Sequence, residues 1–224
     1  MKKLSLSSTR LGQSIMLLQP TRPFFCSSRD QNGGDHIAPF AWLTPISSNP
    51  PRVALALQNE KGRKRSATLD NIIRTNEFII NMPVAGQEKE LIRSSFMPDE
   101  GCPCKFDRTG YTRQQGQRVN VAAIAECPAN LECVAFNVID HGGDHTVIFA
   151  DIIAAQYAAD CYDEGLCPCI PAMLPLINLK ERRFDDHQEH IFLDSVSVRR
   201  IRVFYDKSQR SQECSQPLEQ GSEQ

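Results

Sequence analysis

Two stretches place a pair of thiols on either side of a proline, behind the same acidic turn: DEGCPC at Asp99–Cys104 and DEGLCPC at Asp163–Cys169. Cys102, Cys104, Cys167 and Cys169 together could ligate zinc or an iron–sulfur cluster. One residue between two sulfurs is tighter than the usual pair, and proline stiffens it, so chelation there is strained. A redox-active dithiol, activated where thiolates meet positive charge, is a second reading. Ordinary reduced thiols in loops are the third. Nine cysteines behind an opening MKKL that no long apolar run follows argue for reduced thiols in the cytoplasm over a disulfide framework.

A different chemistry is visible in GRKRSAT, which sets Lys64, Arg65, Ser66 and Thr68 at the start of an apolar-periodic segment. Unpaired N–H groups and the positive end of a helix attract an anion, and arginine and hydroxyl donors match phosphate oxygens. The same residues also suit a solvated basic loop with an ordinary cap from Ser66 or Thr68. Ser47–Ser48–Asn49, ahead of two prolines, is a polar turn that either presents donors to a ligand or simply turns the chain. No G-x-G-x-x-G and no Walker loop is present.

These residues need elements to position them. The 224 residues, 41% hydrophobic and 23% charged, suffice for a sizeable core. A net charge of −2 gives no footprint for nucleic acid, and no run is long enough to span a bilayer. Short strands dominate: FFCSS and HIAPFAWLT around a turn rich in Asn and Gly, then RVALALQ, EFIINM, and LECVAFNVID joined to HTVIFADIIAA by HGGD. RVALALQ, apolar on both faces, reads as a buried strand. The clearest helix is ATLDNIIRTN, with Leu69, Ile72 and Ile73 on one face, and EKELIRSSF is a weaker one. HIFLDSVSVRRIRVFYD alternates as strands do. Many strands with one or two short helices predict a mainly β, barrel-like fold. Residues 1–18 read as a polar leader, 19–206 as the domain with 166–206 as its own extension, and 207–224 as a disordered tail.

TRPFFCSSRDQNGGDHIAPFAWLTPISSNPPRVALAL resembles the opening of the flavin reductase-like, flavoredoxin-type family of split β-barrel proteins. The likeness continues through ATLDNIIRTNEFIINMP, KFDRTGYT, AECPANLECVAFNVID and GDHTVIFADII, in the same order, over roughly residues 20–155. The resemblance implies FMN at a homodimer interface, with NADH or NADPH as hydride donor and a small-molecule or protein electron acceptor. The isoalloxazine would lie along His36, Ala38, Phe40, Ala41 and Trp42. Ser47, Ser48, Arg65, Ser66 and Thr68 would hold the phosphate, with Asn71 completing the cofactor set. In the Gly-Asp-His-Thr context, His145 would stand at the flavin face as a hydrogen-bond or proton donor; pairing with Asp144 to fix the hairpin is the alternative. His141, His187 and His190 have no such context, and DDHQEH reads as a solvated loop or, less readily, a source of metal ligands. The chain departs from the family at Asp35–His36, where Asn and an apolar residue are usual, at Ser66–Ala67 in place of Lys-Asp, and at Asn76 in place of Gly. PAMLPLINLKERRF stands as an altered remnant of the family's closing stretch. If the likeness holds, both CPC loops fall on the flavin side of the barrel.

Overall fold

The computed structural model describes residues 1, 3–59, 66–95, 105–169, 173–182 and 189–195. Lys64, Arg65, Cys102, Cys104, His187 and the tail from Lys207 lie outside the described residues. A run of 3-10 turns covers Ser8–Leu18 without burying a side chain. Among the described residues eleven strands follow: β1 (Phe24–Arg29), β2 (Asp35–Phe40), β3 (Leu43–Ser48), β4 (Pro51–Gln58), β5 (Glu77–Met82), β6 (Arg113–Gln115), β7 (Ala122–Ile124), β8 (Ala129–Asp140), β9 (His145–Tyr157), β10 (Leu176–Arg182) and β11 (Glu189–Ser195). The helices are α1 (Ala67–Thr75), α2 (Glu88–Ser95) and α3 (Lys105–Thr109), the last not foreseen from the sequence.

Seven strands form one antiparallel sheet in the order β2-β1-β5-β8-β9-β4-β3. Its two edge strands, β2 and β3, are joined by only Ala41 and Trp42. Laid flat, the edges would be about 29 Å apart at ~4.8 Å per strand. Three Cα steps span at most about 11 Å. The sheet must therefore roll until its edges approach, and it becomes a barrel with a split between β2 and β3.

The side chains agree with that closure. Phe24 and Cys26 from β1, Val53, Leu55 and Leu57 from β4, Phe78 and Ile80 from β5, Cys133 from β8 and Ile148 from β9 meet in one buried cluster. Each fully buried large side chain contributes roughly 1.5–3 kcal/mol. Leu69 and Ile72 of α1 join this cluster, whereas Ile73, expected on the same face, is 44% exposed. A nine-residue helix across the barrel mouth buries only the narrow stripe that faces inward. On β4, Ala54 and Ala56 are half-covered, so only the inner face is fully buried, as a half-exposed antiparallel sheet requires. A second cluster, on the other face of β1 and β2, unites Phe25, Ile37, Leu91 and Phe106 beneath α2 and α3.

Turn chemistry sets the registers. Asp30 Oδ1 accepts the N–H groups of Asn32 and Gly34 (2.8 Å each), and Gly33 at φ +81° completes the β1–β2 turn. Asn81 makes the central polar joint, its side chain donating to Ser27 Oγ (2.8 Å) and accepting from Ile124 N and Asn130 Nδ2 (2.9 Å each). Near the C-terminal end, Thr21 and Asn178 exchange backbone hydrogen bonds, and Met173 and Leu176 are buried. Residues 173–182 of the PAMLPLINLKERRF stretch thus return to the start of the domain. No helix among the described residues is long and apolar enough to cross a membrane.

Candidate functional site

The expected site residues divide into three groups. The first lies where α1 meets β1 and β2. Ser66 sits at the N-cap position but makes no side-chain capping bond. Thr68, in the first turn, is 1% exposed, and its Oγ1 has no hydrogen-bond partner. One turn on, Asn71 Nδ2 donates to Ser28 Oγ (3.0 Å). The Arg74 guanidinium donates to the Arg29 carbonyl, and Asn76, in the left-handed region at φ 59°, ends the helix through a bond from its N–H to Ile72 O (2.7 Å). These contacts clamp α1 to the end of β1.

Ser28 pairs in register with His36 on β2. Burial, then the nearby Lys105 ammonium, pushes the His36 imidazole down to about 4, with Asp30 opposing. His36 is therefore neutral at pH 7, which lets a largely covered strand accommodate it. Lys105 is itself buried, donates from Nζ to Ser94 O (3.1 Å), and has its pKa lowered by burial and then by Arg108. Neither Lys105 nor Ser28 stood out in the sequence. A lysine heading a short amphipathic helix carries no signal of burial, and Ser28 gains its role only through the β1–β2 register.

Further along β2, Ala38 is buried opposite Cys26, and the Phe40 ring packs against Phe24 with centroids 6.0 Å apart. Phe40 packs against the core cluster while remaining partly exposed. The chain then turns through Ala41 to the second group. Trp42 stacks on His145 with ring centroids 4.2 Å apart and planes 21° from parallel. His145 Nδ1 is 2.8 Å from Asp144 Oδ1, and that hydrogen bond is the chief cause of the lowered Asp144 carboxyl. The Asp144 pairing foreseen for His145 is thus present, and Trp42 adds a partner that spacing did not suggest.

Ser47 and Ser48 form the third group, at the far end of β3, opposite Arg52 and Pro51 and beyond a register slip. Six residues of strand, about 20 Å, separate Trp42 from Ser48. Ser47 is half-buried and Ser48 exposed.

The cysteines are elsewhere. Cys167 and Cys169 follow the 13-residue β9, whose other end is His145. They lie beyond Tyr157, which ends the strand that His145 begins. That the second CPC pair follows the His145 strand is as expected from the sequence. Among the described residues, no group of three or more His, Cys, Asp or Glu side chains is arranged to hold a metal ion.

Comparison with known proteins accords with this geometry. The flavin reductase like domain model matches residues 16–184, and the chain belongs to that family. A curated relative from Pyrococcus abyssi, an uncharacterized protein, is 28% identical over 156 residues, which cover 68% of this chain and 83% of the relative. Among solved structures, a putative flavin reductase with split barrel domain from Shewanella frigidimarina superposes with a TM-score of 0.69 at 14% identity, covering 90% of this chain and 95% of that one. The FMN-binding protein of Thermus thermophilus gives 0.63 at 16% identity, covering 85% and 96%. The fold is the split β-barrel of these proteins.

Proposed function

We propose that this chain is an FMN-dependent oxidoreductase that takes hydride from NADH or NADPH and passes electrons to a flavin, ferric or protein acceptor. The observation that carries the reading is the buried Thr68 hydroxyl without a partner in the first turn of α1. An orphaned buried hydroxyl is unfavourable unless a ligand completes it, and at a helix start that ligand is an anion. The flavin phosphate fits, with Ser66 at the N-cap position beside it. Family membership and the FMN-binding Thermus thermophilus neighbour support the same choice. When bound, FMN supplies the hydride and electron chemistry, so no protein nucleophile is needed.

The chain's own residues then position and protonate. Backbone from His36 to Trp42 lines the isoalloxazine, and Asn71 holds Ser28 behind it. His145, oriented by Asp144, is the proton or hydrogen-bond donor at the open face. The molecule works as a homodimer with FMN at the interface. The outer face of β8 and β9 supports this, since Phe136, Ile139 and Ile153 are each more than two-fifths exposed there.

The Trp42–His145 stack favours one rival, an FMN electron carrier without a nicotinamide site, because the indole already covers one face of the imidazole. The test is an absorption spectrum of the purified protein, identification of the flavin released on denaturation, and steady-state NADH and NADPH oxidation. Bound FMN with turnover supports the oxidoreductase, and bound FMN without turnover supports the carrier. A protein that neither carries nor takes up FMN overturns both.

A further inference from the structure

Beyond β9 the chain folds back as a short ribbon in which Tyr162 pairs antiparallel with Pro168. Asp163 N donates to Cys167 O (3.0 Å), and Cys169 N donates to Cys161 O (2.9 Å). This register puts Cys161 directly opposite Cys169 and Asp163 opposite Cys167. By strand alternation, Cys161, Cys167 and Cys169 emerge on one face, while Tyr162 and Pro168 emerge on the other. The turn is braced, since Asp163 Oδ1 accepts from Gly165 N (3.0 Å) and Cys167 N (2.9 Å).

Only one backbone bond joins Cys161 and Cys169, since Cys161 N turns back to Ala158 O (3.0 Å). Directly opposed residues on antiparallel strands have Cα atoms about 4.5–5.5 Å apart, inside the range that a disulfide bridges. All three thiols are free; Cys167 is exposed, and Cys161 and Cys169 are partly so. Cys167 is the poorer partner for Cys169. The two are neighbours along one strand, with a stiff proline between them. The CPC spacing had drawn attention to the wrong pair, because the matching thiol stands eight residues upstream across a DEG turn.

We propose that Cys161 and Cys169 form a reversible oxidation site, closed to a cross-strand disulfide by a low-molecular-weight disulfide such as oxidised glutathione. The Cys169 thiolate attacks one sulfur of the reagent, forming a mixed disulfide and expelling one thiolate. Cys161, whose proton passes to solvent, then attacks the Cys169 sulfur, forming the internal bond and expelling the second thiolate. Two cysteine thiols are oxidised and one reagent disulfide is reduced to two thiols. Cys169 attacks first because burial and Asp160 hold the Cys161 thiol in its protonated form. Opposed Cβ atoms at about 5 Å are somewhat wider than an unstrained disulfide prefers, so the bond is readily reduced again.

The test is to incubate the full chain with oxidised glutathione, alkylate remaining thiols, cleave after Glu164 and map the fragments by mass. The expected result is two fragments joined through Cys161, in the native chain and in Cys167→Ser alike. In Cys161→Ser, Cys169 should accumulate a glutathione adduct instead. A native chain that shows only adducts, or that joins Cys169 to Cys167 or to Cys102 or Cys104, overturns the proposal. So does a link that vanishes in Cys167→Ser.

Discussion

Replacing Thr68 by valine separates what the hydroxyl does for a ligand from what it does for the fold. The side chain is 1% exposed and its Oγ1 meets no partner, so the folded protein without a ligand carries an unsatisfied polar atom. Such an atom costs about 1–3 kcal/mol, and valine keeps the shape while removing it. The ligand-free Thr68→Val protein should therefore be more stable by about 1 kcal/mol, which for a chain of this size is roughly 2–4 °C in Tm. Valine and threonine have similar helix propensity, so α1 itself is little changed. Flavin binding should move the other way. A hydrogen bond to a charged phosphate contributes about 1.5–3 kcal/mol, so FMN affinity should fall about 10- to 150-fold. Riboflavin, which lacks the phosphate, should bind the variant as it binds the native chain. Calorimetry with both flavins, beside thermal melts of the apoprotein, reads all three quantities. A variant that melts lower and binds FMN unchanged would mean that the hydroxyl serves the core, and the phosphate assignment would fail.

Protonation of His36 should erode stability in acid. Its folded pKa of about 4 lies below the ordinary 6.5, so the unfolded chain takes up the proton first. That contribution is complete above pH 6.5 and is lost as pH falls toward 4, reaching about 1–2 kcal/mol at pH 5; His36→Gln should flatten this part of a urea-melt pH series, and an unchanged slope would refute it. Glu132 is buried and accepts the N–H groups of Gln117 (2.7 Å), Arg118 (2.6 Å) and Val119 (3.0 Å), so Glu132→Ala strands three donors. Urea denaturation should show a loss of about 3 kcal/mol or more, with faster amide exchange at residues 117–119. Asn76→Gly should be neutral or slightly stabilising, because φ is already 59° there, whereas Asn76→Val should lose about 1–2 kcal/mol in the same assay.

Much of the fold is legible in particular stretches. RDQNGGD and HGGD carry the residues that their hairpins demand, and ATLDNIIRTN shows both the apolar stripe and the Asn that ends its helix. What was not legible depends on closure. Strand order, with β2 and β3 at opposite edges, follows from long-range pairings that no local pattern encodes. For the same reason the sequence does not show that Ser47 and Ser48 stand opposite Arg52 and Pro51, at the far end of β3 from Trp42. His145 pairs with Asp144 as its neighbours suggested, but its stack on Trp42 requires β3 and β9 to approach. Lys105 and Cys161 were missed because their meaning lies in what faces them.

The two-residue Ala41–Trp42 link also bears on how such molecules avoid one another. Free sheet edges invite strand addition from other chains, and the edges here are β2 and β3. Each carries a proline, Pro39 in β2 and Pro45 in β3, which cannot donate to an incoming strand, and β3 adds a slip in its register at Pro45–Ser47. Rolling the sheet also turns these edges toward each other across the split. Growth by edge-to-edge pairing is thereby disfavoured at both ends, and in the homodimer proposed above a second copy would settle on the outer face of β8 and β9, where contact does not propagate into a fibre.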